Sequence, residues 1–240
     1  MEIKNIGSRG ILFSFYDLGI PTNVYVIAEE KCFYIIDTYL GVKIMKDIVD
    51  YITAQYGEKE FIVINTHSHW DHVWGNSMFS SSLIIAHVLC KKHMEEEGAE
   101  ELEENKSYKK GEVILTPPNM TFTDKIFFNE DNILIYYSPG HTDDCVSIVD
   151  LQDKVLYAGD NLERPIPYIT LRNFDEYIIT LKDYLNLDVE KVIGGHTDCE
   201  TKKLIEDNLY YVRKVSIGET EEYESGEYED YHKENMKSLL

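Results

Sequence analysis

The chain has 240 residues, 43% of them hydrophobic, which suits one domain with a substantial core, or one domain with a helical appendix. Its formal net charge of −21 repels phosphate backbones and anionic lipid surfaces, so nucleic acid is disfavoured as a partner; no apolar run reaches the roughly 18 residues of a membrane span. Cys32, Cys90, Cys145 and Cys199 are scattered without a CxxC pair, and no basic stretch followed by an apolar one opens the sequence; together these predict a reducing, cytoplasmic location.

The first third reads as strands: ILFSFYDLG, NVYVIAEE and CFYIIDT are short β-branched and aromatic runs separated by turn residues. The period then changes. Val42, Met45, Ile48, Val49 and Ile52 recur at helical spacing, and Gly57 predicts the end of that helix. FIVINT is a compact apolar run of the kind buried on both faces of a sheet. LIIAH reads as a strand, and VLCKKHMEEEGAEELEEN as helical at its start. Seven of the ten residues from Glu95 to Glu104 are acidic, which predicts a solvated face. MTFTDKIFF, NILIYYS, VSIVDL and KVLYAGD form a second series of strands. FDEYIITLKDYLNL reads as a helix, KVIGGH as a short strand entering a glycine turn, and the segment from Cys199 to about Val215 as helical. Two strand-rich halves, each with helices, predict two sheets packed together and covered by helices. Residues 1–218 form the expected domain; the acidic segment 219–240 is either part of it or a tail free to dock on another copy in a homo-oligomer.

The segment NTHSHWDHVWGN follows FIVI and holds His67, His69, Asp71 and His72. Three more polar residues stand at strand ends with glycine just before them: His141 in SPGHTDD, Asp160 in YAGDNL and His196 in IGGHTD. Asp37 ends CFYIID. Strand ends are the usual place for groups that converge on a site. Five imidazoles and two carboxylates suit zinc, and also iron or manganese. Seven donors exceed one tetrahedral ion and suit two ions about 3.5–4 Å apart. Positions 67 and 69 of an extended loop point the same way and can grip one ion. Asp71 and His72 can serve a second, and Asp160 can bridge both.

HSHWDH, followed in order by PGHT, AGD and GGHTD, resembles the HxHxDH signature and downstream ligand segments of the metallo-β-lactamase superfamily. The resemblance runs from about Ile11 to about His196. It implies a four-layer αββα sandwich of two mixed β-sheets flanked by helices (α/β, α+β), with a dinuclear site on one edge. Carried over, it puts His67, His69 and His141 on one ion and Asp71, His72 and His196 on the other, with Asp160 bridging and Asp37 as an outer partner. THSHWDHVWGN is especially similar to glyoxalase II. An aspartate at 160 also looks like the lactonase and nuclease branches, whereas true β-lactamases of this fold tend to carry cysteine or serine there. The implied activity is hydrolysis of a small ester, thioester, lactone or similar carbonyl compound by hydroxide bound to two divalent ions, zinc first, with Asp71 and Asp160 as catalytic residues. A mononuclear iron oxidoreductase like the persulfide dioxygenases, a phosphodiesterase or nuclease of the same fold, and a non-catalytic binding module are the alternatives.

The remaining candidates carry plainer readings. His87 reads as a packed or surface imidazole, and His93 and His232 as exposed residues without a role. Cys199 reads as a small buried side chain. Trp70 either lines a substrate pocket or packs in the core. Residues 161–173 form either a substrate loop, in which Tyr168 donates a hydrogen bond to a developing oxyanion, or a plain surface connection.

Overall fold

A computed structural model of the chain describes residues 1–239. Strands β1 (Glu2–Ile6), β2 (Gly10–Phe15), β3 (Thr22–Ala28) and β4 (Cys32–Ile36) form an antiparallel meander. Helix α1 (Val42–Tyr56) returns the chain. Strands β5 (Glu60–Ile64), β6 (Leu83–His87) and β7 (Met120–Phe122) then add in parallel, completing a seven-stranded sheet in sequence order. The second sheet has six strands. Its antiparallel part is β8 (Lys125–Phe128), β9 (Ile133–Tyr137), β10 (Val146–Asp150) and β11 (Val155–Tyr157). After helix α5 (Phe174–Asn186), β12 (Lys191–Ile193) pairs parallel to β11, and β13 (Cys199–Glu200) closes the edge.

Side chains alternate across each strand, and here both faces are apolar. In β3, Val24 and Val26 face one core, while Tyr25 and Ile27 face another; Phe33 and Ile35 of β4 part from Tyr34 and Ile36 in the same way. The outer set packs on Met45, Ile48 and Ile52 of α1. The inner set meets Ile133, Ile135, Val146, Ile148 and Tyr157 of the second sheet. That sheet's other face packs Leu156 and Val192 on α5 and on α6 (Lys203–Ile217), through Tyr177, Leu181, Leu204 and Val212. The layers are therefore helix, sheet, sheet, helix. At the end of β11 remote from Asp160, the Arg9 guanidinium ties the sheets together by donating to both Asp150 oxygens at 3.0 and 2.6 Å. Beside it, Asp153 accepts from the Ser8 and Arg9 amides at 2.6 and 3.1 Å. Gly7, at φ 66°, is required there, because a Cβ would lie 2.3 Å from an Asp153 oxygen.

Four local readings change. Strand β1, inside MEIKNIG, was not foreseen. MTFTDKIFF is two strands rather than one: β7 belongs to the first sheet and β8 to the second, so the chain changes sheets at Thr123 and Asp124. A short stretch of alternating residues gives no sign of which sheet it joins. The segment after Cys199 begins as strand before α6 starts. Residues 98–104 form a second short helix, α4 (Gly98–Glu104), after α3 (Val88–Glu96), and most of the acidic run is exposed.

The acidic end carries helix α7 (Glu229–Ser238). It is anchored through polar side chains: Asn235 accepts from the Ile169 amide at 2.8 Å and donates to Pro167 O and Tyr211 Oη. Ser238 donates to Ile169 O, and Arg172 to Leu239 O. His232, expected to be exposed, is 3% exposed and bonded to Tyr211 Oη. The helix buries its amide and imidazole face, so an apolar pattern does not reveal its docking.

Candidate metal centre

The segment after β5 turns at Asn65 and Thr66, and His67 and His69 follow. Residues Trp70–Val73 then form a helical turn, α2, so Asp71 and His72 are set by helix geometry and not by an extended loop. His141 follows β9, Asp160 follows β11 and His196 follows β12. The seven side chains converge. His67, His69, His141 and Asp160 present one set of donor atoms within 4.8 Å of one another, and Asp71, His72 and His196 present a second. Asp160 Oδ2 lies between the sets, 3.6 Å from His67 Nε2, 3.3 Å from His72 Nε2, 3.2 Å from His196 Nε2 and 3.9 Å from His141 Nε2. Asp71 Oδ2 is 3.5 Å from His72 Nε2 and 3.4 Å from His196 Nε2. The backbone must come close for this. A Cβ on Gly195 would stand 2.0 Å from Asp160 Oδ1 and 2.9 Å from the His72 ring.

Four of the rings are held from behind by their Nδ1. That atom meets Asp37 Oδ2 at 2.9 Å in His72, Thr66 Oγ1 at 3.0 Å in His67, Tyr168 O at 2.9 Å in His141 and Pro21 O at 2.9 Å in His196. A donor Nδ1 leaves Nε2 as a lone pair aimed at the centre. His69 differs: its Nδ1 faces His141 Nε2 at 3.2 Å. Asp37 is fully buried and also accepts from the Thr66 amide and hydroxyl, each at 2.8 Å. Asn161 accepts from the His141 amide at 2.8 Å and donates to Ser138 O at 2.7 Å.

Burial pushes His67 well below the usual imidazole range and His69 below it, and with the neighbouring rings it brings His141 to about 4. These three are neutral at pH 7, the form in which imidazole ligates metal. Burial would also lower His72 and His196, but Asp160 and Asp71 overcome it and hold both well above. Asp71 is opposed by burial yet drawn down by His72 and His196 to about 2. Within the protein, His67 Nε2, His72 Nε2 and Asp160 Oδ1 are buried and have no hydrogen-bond partner. Each such orphan costs about 1–3 kcal/mol. Three at one point, among imidazoles and carboxylates whose charges already balance around Asp160 and Asp71, fit divalent metal ions as the missing partners.

The centre opens on a cavity of about 640 Å³ whose wall includes Trp70, Glu163, Tyr168, Tyr231 and Glu234. Trp70 therefore lines the cavity, braced by Trp74 and Tyr108 at ring separations of 5.0 and 5.4 Å. Tyr168 lines it too, and its carbonyl and the Thr170 hydroxyl both bond His141. Burial and the Asp160 charge push Glu163 up to about 8. Another cavity, about 680 Å³, lies beside α7 among Phe174, Val215 and Met236 and contains no donor of the centre. His87 is buried and caps α3 by accepting from the Leu89 amide, and His93 pairs with Asp143 at 2.8 Å. Cys199 is half-buried with a free thiol. Sequence reasoning missed Thr66, Asn161, Glu163, Tyr231 and Glu234. Of these, Asn161 and Glu163 lie in the 161–173 segment read as a candidate substrate loop, without being singled out in it.

The sequence pattern of the metallo-beta-lactamase superfamily matches residues 18–196, from the β2–β3 turn to the last donor of the centre. The chain belongs to this superfamily. Curated relatives within reach include the acyl-coenzyme A thioesterase MBLAC2 of Gallus gallus, 21% identical over 217 residues (76% of this chain, 74% of that one). Another is the metallo-beta-lactamase type 2 of Bacillus sp. (strain 170), 25% identical and covering 84% of this chain and 77% of its own. Among solved structures, the DIM-1 metallo-beta-lactamase superposes with a TM-score of 0.73 at 19% identity, covering 90% of this chain and 98% of that one. TMB-1 superposes with the same score and coverage at 20% identity. At that identity the likeness establishes the metallo-β-lactamase fold alone.

Proposed function

We propose that this superfamily member is a metal-dependent hydrolase of small esters, thioesters or lactones. Two divalent ions, zinc first, would be held by His67, His69 and His141 and by Asp71, His72 and His196, with Asp160 shared. The observation that carries this reading is Asp160 Oδ2, which lies 3.2–3.9 Å from four imidazole Nε2 atoms drawn from both sheets. The curated relatives support the carbonyl class, since one is a thioesterase and the other a β-lactamase by name. When bound, the ions supply Lewis acidity toward a carbonyl oxygen and toward water. The chain's own groups do the rest. Asp71, ionised and only 8% exposed, accepts a hydrogen bond from the attacking water at its Oδ2 and orients it. Water adds its oxygen to the carbonyl carbon and releases one proton, the C–O or C–S bond breaks, and the leaving oxygen or sulfur takes up a proton in return. Glu163, a carboxyl on the cavity wall whose hold on its proton is strengthened by burial, is the group proposed to donate it. Trp70 and Tyr168 flank the substrate, and α7, whose residues complete the wall, forms one domain with residues 1–218.

The test is metal analysis joined to a small substrate panel. The reading expects close to two zinc or manganese ions per chain, and turnover of at least one thioester, ester or lactone that a chelator abolishes. One iron per chain, with oxygen uptake on a thiol persulfide and no carbonyl hydrolysis, would replace it with the oxidoreductase reading.

A further inference from the structure

The proposed hydrolase reading leaves the substrate's character open, and the wall facing the centre narrows it. Three aromatic rings, of Trp70, Tyr168 and Tyr231, line one cavity together with the carboxyl groups of Glu163 and Glu234. Arg164 is the sole lysine or arginine among the described residues of that lining. It is engaged elsewhere, 2.9 Å from Asp207 and 3.6 Å from Glu200. Among the described residues of that lining, the one guanidinium is therefore already drawn to two carboxylates, and the wall's carboxyl groups outnumber it. Aromatic faces beside a carboxylate are the surroundings in which an alkylammonium group is held, by attraction to the ring faces and by ion pairing. Tyr231 and Glu234 project from α7, which is fixed by the Asn235 hydrogen bonds to Ile169, Pro167 and Tyr211. Both residues are exposed, so they can meet a ligand without unfolding the helix. The chain's overall charge of −21 adds a long-range attraction for cations.

We propose that the substrate carries an ammonium group beside its scissile carbonyl, and that this group seats against Tyr231, Tyr168 and Trp70 and pairs with Glu234. The carbonyl then faces the histidine cluster while the cation lies on the α7 side of the cavity. The assignment rests on the hydrolase reading for the carbonyl but on the wall alone for the cation, and two sets of probes separate them.

Binding is measured on the zinc-loaded full chain by ligand-observed NMR titration with choline and with 3,3-dimethylbutan-1-ol, its neutral isostere. Turnover is measured with acetylthiocholine and with 3,3-dimethylbutyl thioacetate. The expected results are about tenfold tighter binding of choline, and a kcat/KM about tenfold higher for the cationic thioester, the ratio that about 1.4 kcal/mol of differential binding produces. In Glu234→Gln and in Tyr231→Leu the cationic preference should fall at least threefold, and 0.5 M salt should weaken it in the unmodified protein. Equal binding of the two alcohols, or a preference that survives both substitutions, overturns the proposal whatever the turnover. Cation-selective binding that Glu234→Gln removes, with no thioester, ester or lactone of the panel hydrolysed, sustains this assignment and overturns the hydrolase reading instead.

Discussion

Asp37 adopts φ 61°, a conformation rare outside glycine, while receiving three hydrogen bonds in complete burial. The geometry aims one oxygen at His72 Nδ1 and fixes which nitrogen of that ring faces the centre. Asp37→Ala should lower zinc affinity about 10–100-fold, the usual loss when a ligand histidine loses its carboxylate partner. Competition with a chromogenic chelator measures this, and unchanged affinity would remove Asp37 from the account. Gly195→Ala should abolish stoichiometric metal binding while leaving a folded protein, because the added carbon meets Asp160 and His72 directly. Retained metal at full stoichiometry would contradict the packing described. At the other end of the sandwich, Asp153 is held below the usual carboxylate range: burial opposes, but the bonds from Ser8 and the Arg9 amide prevail. A depressed folded value means that its stabilisation is present above the unfolded value of about 3.9 and is lost as pH falls through the folded one. Asp153→Asn should therefore cost about 1 kcal/mol at pH 7. That deficit should shrink as pH falls below about 3.9 and through the depressed folded value, which denaturant melts of the two proteins at pH 7 and across the acid range would show.

Helix α7 reaches the centre through its contacts. Asn235 holds residues 167 and 169, and the intervening Tyr168 carbonyl holds His141. Asn235→Ala leaves the Ile169 amide without that acceptor and should cost about 1–3 kcal/mol. Faster amide exchange across 167–172 and weaker zinc binding should accompany the loss. If stability falls while both of those stay constant, α7 is only a brace. These elements also divide what the sequence disclosed from what it hid. His67, His69, Asp71, His72, His141, Asp160 and His196 were legible because each follows an apolar strand, and three follow a glycine. The two-sheet architecture was legible in the alternating strands. Strand β1, the change of sheet at Thr123 and the seating of α7 were not. Asn235 and Ile169 lie 66 residues apart, and the buried face of α7 is an amide and an imidazole, which hydrophobic periodicity does not register.

At the scale of the molecule, donors from both sheets meet in one centre, so metal bound there as proposed would be linked to folding. A ligand at 100 times its dissociation constant stabilises by about 2.7 kcal/mol, and for a chain of this size each kcal/mol moves Tm by about 2–4 °C. Chelation should accordingly lower Tm by about 5–10 °C. A Tm indifferent to chelator and to added zinc would argue against a centre built across the sheets. The two ends of the sandwich are fastened differently. At one end the Arg9–Asp150 ion pair is made by the chain's own side chains; at the other, on the proposed reading, the fastening would be ions taken from the surroundings. The fold thus resembles a book bound along its spine, with a clasp on the opposite edge that the proposed metal ions would close.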